Sequence, residues 1–430
     1  MINGPLLPAI CALFLKIFGQ EMLVTRILAI VLDTTILIIA YKIMDKLEIK
    51  DYLKYMAVIT LAIIMHQYFT IDYNWATLLV VLAIMYIEIR NDSSWKKEIL
   101  IGLLAGITIP LKQTTGIVIV LVVLGWKVLT IRNKRDFKLY ITNLAIRFAG
   151  VAIIVFTFLI TLIICGALNN YVDYCILGIK TFSNKISYVN RLVKNSNILI
   201  RILSLLPLFI YITLGIVYRK TNKKEILVLI SYSIAEMAVV YPISDEAHFV
   251  LAITPTVISI GYLLNLLTYK VKIEKKEEIF ANIFIRTFII LFSIVYFIGT
   301  MNNYRLQNIN FELEHFKCLP ISKEGIEDIK QIDDFIEKQE KEVYILDATA
   351  AIYMIPANRY NKDYDMFNKG NLGSKGEEGQ IEKIKNSENR LILIKNDKYS
   401  RNWQNPEEVR KYIIKNMKKI GEIGVFDIYE

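Results

Sequence analysis

The run Ser244-Asp245-Glu246-Ala247-His248 puts two carboxylates and one of only three histidines into five residues. Such a set can ligate a metal, hydrogen-bond to sugar hydroxyls, or take and give protons. A solvated loop would account for the acids but less well for His248, because Phe249 opens an apolar run. Asp72 and Asn74 lie in Ile71-Asp72-Tyr73-Asn74-Trp75, at another break between apolar runs. Both residue types suit turns and helix N-caps. Asp72 is also a candidate ligand for a divalent cation or a sugar hydroxyl. Lys112 and Gln113 follow Gly102, Gly106 and Pro110 in otherwise apolar sequence. A lone lysine there would snorkel to the interface, whereas a compact ammonium at a membrane surface also suits a phosphate. His66 and Gln67 fall near the same predicted surface, and Glu236 lies inside an apolar run, where charge is expensive unless paired or facing a cavity.

The elements that must position these residues are membrane helices. Of 430 residues 54% are hydrophobic, too many for one soluble domain and suited to a polytopic membrane protein with a soluble part. About ten apolar stretches approach the length of a span. They are 21–44, 55–69, 75–90, 98–111, 115–131, 145–168, 198–217, 225–241, 249–267 and 279–300. If they alternate in direction, the basic loops fall on one side. Those loops carry Lys46 and Lys50, Lys96 and Lys97, Arg132 and Lys134, Lys223 and Lys224, and Lys275 and Lys276. That side is then cytoplasmic, and Asp72, Asn74, Lys112, Gln113, Asp245, Glu246 and His248 gather at the outer one. The formal charge of +10 belongs mostly to those loops and to anionic lipid. Scattered as it is between apolar spans, it argues against nucleic-acid binding.

The chain divides into an interfacial helix on the outer face (1–20), a transmembrane domain (21–300) and an extracytoplasmic α/β domain (301–430). In the last, 321–340 reads as a helix, 342–347, 390–395 and 425–429 as strands, 406–419 as a helix, and 369–379 as a surface loop. The outer segment 169–197 reads either as an amphipathic loop on lipid or as a substrate-gripping loop. The four cysteines show no metal-like spacing. No phosphate loop, dinucleotide-binding glycine pattern, Gly-x-Ser-x-Gly or His-Glu-x-x-His is present.

Four short segments, in this order, resemble those of the GT-C membrane glycosyltransferases. Asn3-Gly4-Pro5-Leu6-Leu7-Pro8 through Gly19, then Thr25-Arg26-Ile27-Leu28, is similar to the first outer loop and following helix of that superfamily. The groups it looks most like are bacterial protein O-mannosyltransferases and lipid A aminoarabinose transferase. Asp72-Tyr73-Asn74-Trp75, the stretch from Gly106 to Gly116, and Tyr241-Pro242-Ile243-Ser244-Asp245-Glu246-Ala247-His248 look like later outer-face motifs. The resemblance covers the membrane part and implies transfer of a sugar from a polyprenyl-phosphate carrier to a lipid, glycan or protein. It implies that a cation, here Lys112 with Arg26 a weaker candidate, meets the lipid phosphate. Asp72 would help hold the sugar or a divalent ion, and Asp245, Glu246 and His248 would line the pocket. In such proteins the catalytic acid precedes the Asn-Gly-Pro-like segment, after a first transmembrane helix. Here Met1 stands two residues before Asn3 and no acid precedes Glu21, so the expectation is a chain without that helix, and no catalytic residue is assigned. The competing readings are a transporter or flippase of lipid-linked glycans and a non-catalytic member of the superfamily.

Overall fold

A computed structural model describes the chain except residues 1–3, 67–70, 90–93, 182–186, 195–196, 242, 272–273, 307–308, 362–363, 365 and 400–404; of 66, 199 and 303–306 only the backbone is described. Gln67 and the side chain of His66 therefore lie outside the described residues.

The membrane part opens with α1 (Leu6–Phe18), α2 (Met22–Lys46), α3 (Asp51–His66), α4 (Tyr73–Glu88), α5 (Trp95–Leu111) and α6 (Gln113–Gly125), the last continued by a 3₁₀ turn, Trp126–Thr130. After α7 (Lys134–Ile164) come the single turn α8 (Leu168–Asn170), a π-helical segment (Tyr171–Ile176), a 3₁₀ turn (Leu177–Thr181) and α9 (Tyr188–Val193). Then follow α10 (Ile198–Thr221), α11 (Lys224–Glu236) with a 3₁₀ extension (Met237–Val240), α12 (Glu246–Val271) and α13 (Lys275–Leu306). Each of the ten expected spans is met by a helix. Among the described residues, six helices are long and apolar enough to cross a membrane: α2, α6 with its 3₁₀ turn, α7, α10, α12 and α13. The other four, α3, α4, α5 and α11, run 13–17 residues, below the usual spanning length. One boundary is corrected: α7 begins at Lys134, where Asn133 caps it through the Asp136 N–H, and not near 145.

The bundle is ordered by polar groups and close backbone approach, because lipid tails offer no apolar driving force between helices. A Cβ at Gly102 would stand 2.2 Å from the Arg147 carbonyl oxygen, and one at Gly150 would stand 2.7 Å from that of Ile99. These glycines let α5 and α7 touch along their backbones. The apolar core gathers Ile36 of α2, Leu78 and Leu82 of α4, Ile101 of α5, Ile119 of α6, Leu229 of α11 and Ile258 of α12. By contrast, the most apolar stretch of α13 is wholly unburied, and α7 leaves Phe148 and Phe156 exposed, as lipid-facing helices do.

The C-terminal part is a four-stranded sheet in the order β1-β2-β4-β3: β1 (Glu342–Ile345), β2 (Arg390–Lys395), β3 (Lys419–Ile423) and β4 (Phe426–Tyr429). Strands β1 and β2 are parallel, and the other pairs antiparallel. The two-residue period divides β2 between two cores. Leu391 and Leu393 pack with α14 (Lys323–Glu337) and α15 (Ala350–Met354), while Ile392 and Ile394 pack with α16 (Gly376–Asn386) and α17 (Glu407–Asn416). Two expectations are corrected here. The helix read as 406–419 ends at Asn416, and Lys419–Ile423 is a strand that returns into β4 through Gly424 at φ +50°, a turn that favours glycine. The stretch 369–379 is more than a surface loop: its last residues begin α16, and Gly373 and Ser374 dock on the membrane part.

Candidate functional site

Five helix ends converge on one polar cluster. α5 stops at Leu111 just after Pro110, and Lys112 takes an extended conformation before α6 begins at Gln113. The break faces the Lys112 ammonium inward. Its side chain is 5% exposed, donates to Asn74 Oδ1 at 2.7 Å and to the Val239 carbonyl at 3.4 Å, and lies 5.6 Å from the centre of the Tyr73 ring. Asp72 caps α4 by accepting the Asn74 N–H at 2.6 Å. Asp245 does the same for α12, accepting the His248 N–H at 2.9 Å, and meets His248 Nδ1 at 2.6 Å.

Electrostatics ties these ends together. Burial lowers the Lys112 pKa to about 8, against the opposing fields of Asp72, Glu236 and Asp245. Lys112 stands in the break between two helices, so this is a property of the helix-end cluster. The surrounding protein raises the Asp72 carboxyl, outweighing the Asn74 hydrogen bond and the charges of Lys112 and His248. Asp245 is moved the other way: burial would raise it, but the hydrogen bonds and charge of His248, helped by Arg191, hold it low.

The residues expected to gather therefore separate into roles. Asp72, Asn74, Lys112, Asp245 and His248 form the cluster. Gln113 is buried but faces elsewhere, donating through Nε2 to the Cys175 carbonyl at 2.6 Å. It anchors the π-helical segment onto the site. Glu246 is exposed in the first turn of α12, at the rim. Arg26 stands in α2. For a divalent cation, no group of three His, Cys, Asp or Glu able to hold a metal occurs among the described residues. Asp72, the expected ligand, is used as a helix cap.

Two side chains extend the cluster. Glu236, at the end of α11, is fully buried, and neither carboxylate oxygen has a hydrogen-bond partner among the described residues. Its position inside an apolar run is the signal that marks it in sequence. Arg191 of α9 donates to the Ser244 carbonyl at 3.2 Å and to Ser204 Oγ at 3.1 Å, and lies 4.7 Å from the centre of the Phe249 ring. Nothing local in sequence distinguishes Arg191 from the other basic residues of 169–197; only the folding of that segment over α12 brings it in.

A second charged group, absent from the sequence expectations, lies toward the other end of the bundle. Arg147 is 1% exposed and bridges Glu88 at 2.7 Å and Glu98 at 2.5 Å. Lys127 reaches Glu98 at 2.8 Å, and Trp126 Nε1 donates to Glu88 at 3.0 Å. Glu88 and Arg147 both fall inside predicted spans, which was the available signal.

No family model and no curated protein matches the chain, but solved structures do. ArnT from Cupriavidus metallidurans, crystallised with undecaprenyl phosphate, is 11% identical, with a TM-score of 0.55 over 100% of this chain and 87% of that one. The chain has the GT-C fold. An oligosaccharyltransferase from Archaeoglobus fulgidus, in complex with Zn and sulfate, is 11% identical with a TM-score of 0.49 over 92% of this chain and 59% of that one. AglB of the same organism, with an inhibitory peptide and a dolichol-phosphate, is 10% identical with a TM-score of 0.49 over 92% and 61%. At these identities the likeness is one of fold. Within the GT-C bundle the site is built by helix ends, and the small α/β domain follows the last membrane helix.

Proposed function

We propose that this chain is a membrane glycosyltransferase that moves a sugar from a polyprenyl-phosphate donor to a lipid, glycan or protein acceptor. It would work at the outer face of the cell membrane, with the C-terminal domain extracytoplasmic. The observation that carries this reading is the buried Lys112 ammonium at a convergence of helix ends, held by Asn74 and within the fields of Asp72, Glu236 and Asp245. The fold shared with a structure bound to undecaprenyl phosphate supports the same donor class.

In the proposed reaction the bond between the anomeric carbon and the phosphate oxygen breaks, and the acceptor oxygen takes its place. Negative charge grows on the departing lipid phosphate. A pre-placed ammonium in a dry site stabilises that charge more strongly than water could. Asp72, Asn74 and the Asp245–His248 pair supply hydrogen-bonding groups for sugar hydroxyls, and Arg191 is a further cation near the rim. The base that receives the acceptor proton is left unassigned.

The donor carrier alone tests this. The protein in lipid nanodiscs is expected to bind undecaprenyl phosphate saturably. A phosphate ester is fully ionised above about pH 7, so any further change with pH reports the protein. Lys112 is charged below about 8 and loses its proton above it. Affinity should thus hold up to about pH 8 and then fall by up to about tenfold per pH unit, since binding must take up one proton. The variant Lys112→Arg should bind without that fall. Absence of saturable binding, or a profile unchanged by Lys112→Arg, would overturn the reading.

A further inference from the structure

On the far side of the π-helical segment from Lys112 lies a cavity of about 700 Å³ between the outer loop of the bundle and the C-terminal domain. We infer that this cavity is a carbohydrate-binding site that seats an acceptor glycan beside the donor site; the acceptor role rests on the function proposed above, while the sugar-binding assignment does not. The observations are geometric. Tyr174, Tyr344 and Tyr364 line it, and Tyr344 and Tyr364 meet edge to face at 5.1 Å between ring centres. Around the rings stand the polar and charged groups of Gln380, Lys383 and Asp173. Aromatic rings with an apolar body and a polar tip, set among hydrogen-bonding side chains, suit a pyranose, which offers C–H bonds on its face and hydroxyls at its edge.

Gln380 supplies an independent indication. Its side chain is 2% exposed, its Nε2 donates to the Leu372 carbonyl at 2.9 Å, and its Oε1 has no partner among the described residues. A buried acceptor left unsatisfied is costly, and a ligand hydroxyl at this wall would satisfy it. Tyr344 also lines a second cavity, of about 850 Å³.

A peptide is disfavoured by the strand edge. β1 is the outermost strand of the sheet and would be the place to add another. Asn361 blocks it: its Oδ1 accepts the Ile345 N–H at 2.9 Å, and its Nδ2 donates to the Ile345 carbonyl at 2.7 Å. The Ile345 backbone groups that a docking peptide would use are taken.

The cavity lined by Tyr174 is also joined to the donor site. Gln113, next in sequence to Lys112, holds the Cys175 carbonyl, and Asp173 and Tyr174 of the same segment face the C-terminal domain. Asp173 accepts the Ser374 N–H at 3.0 Å, Thr181 donates to the Gly373 carbonyl at 2.9 Å, and Lys383 donates to the Tyr174 hydroxyl at 3.0 Å. One short strip of chain thus separates the two sites.

The test is direct binding. The full-length protein in nanodiscs is applied to an array of bacterial surface oligosaccharides and, in parallel, to a peptide array, and the best glycan is titrated. A glycan should bind, with affinity at least tenfold weaker in Tyr174→Ala and close to the parent in Tyr174→Phe, which keeps the ring. Capture of peptides instead of glycans, no glycan bound at all, or equal affinity in Tyr174→Ala would overturn the assignment. Glycan binding without donor-carrier binding would instead count against the transferase reading alone.

Discussion

Lys112→Ala should lower sugar transfer from a polyprenyl-phosphate donor by about a hundredfold or more, the scale seen when a pre-placed charge-stabilising group is removed from an active site. The expectation is large because the ammonium is 5% exposed and stands within the fields of Asp72, Glu236 and Asp245. Truncation would leave Asp72, Asp245 and the fully buried Glu236 facing one another without their shared cation. Lys112→Arg keeps the charge but trades a compact ammonium for a broad fork, and should retain a measurable part of the rate. The measurement is initial rate against donor concentration with radiolabelled sugar, using protein that elutes as one species. If Lys112→Ala transfers at the parent rate, the phosphate role of this residue is wrong.

Arg147→Met should be the most damaging single change to the scaffold, costing about 3–5 kcal/mol, as expected when one partner of a buried ion pair is removed. Arg147 holds Glu88 and Glu98 together, donates Nη1 to the Val123 carbonyl at 2.6 Å, and joins α4, α5, α6 and α7 at one point. Its loss leaves two buried acids that share Lys127, at 3.8 Å from Glu88 and 2.8 Å from Glu98. The thermal midpoint in detergent, followed by loss of the monodisperse peak, should drop sharply. Converting both acids to Gln along with Arg147→Met should recover most of the loss, because the cost lies in the unpaired charge. A single variant as stable as the parent would mean that the network holds nothing together.

The two groups show what each level of information could see. Membrane helices were legible because a span needs a long apolar run, and their alternation was legible because lysine and arginine mark one set of loops. Given alternation, Asp72, Lys112 and His248 had to fall at the same end, since each sits at a break between runs. The strands of the C-terminal sheet were readable as short runs bounded by charged or turn residues, apart from β3. There the expected helix ran on to Lys419, and only pairing with Phe426–Tyr429 made the segment a strand.

By itself, then, the sequence determined the number of apolar elements, their order and the end of the bundle where the polar breaks collect, because those depend on local composition and on chain direction. Tertiary structure alone decided which polar groups touch. It spent Gln113 on the Cys175 carbonyl, left Glu246 at the rim, carried Arg191 over α12, and set Arg147 between Glu88 and Glu98. Those outcomes depend on helix rotation and on loops crossing between helices, and neither leaves a periodic signal in a single chain. The glycines of α5 and α7 illustrate the limit: small residues are visible in sequence, but the backbone contact they permit exists only once the two helices have met.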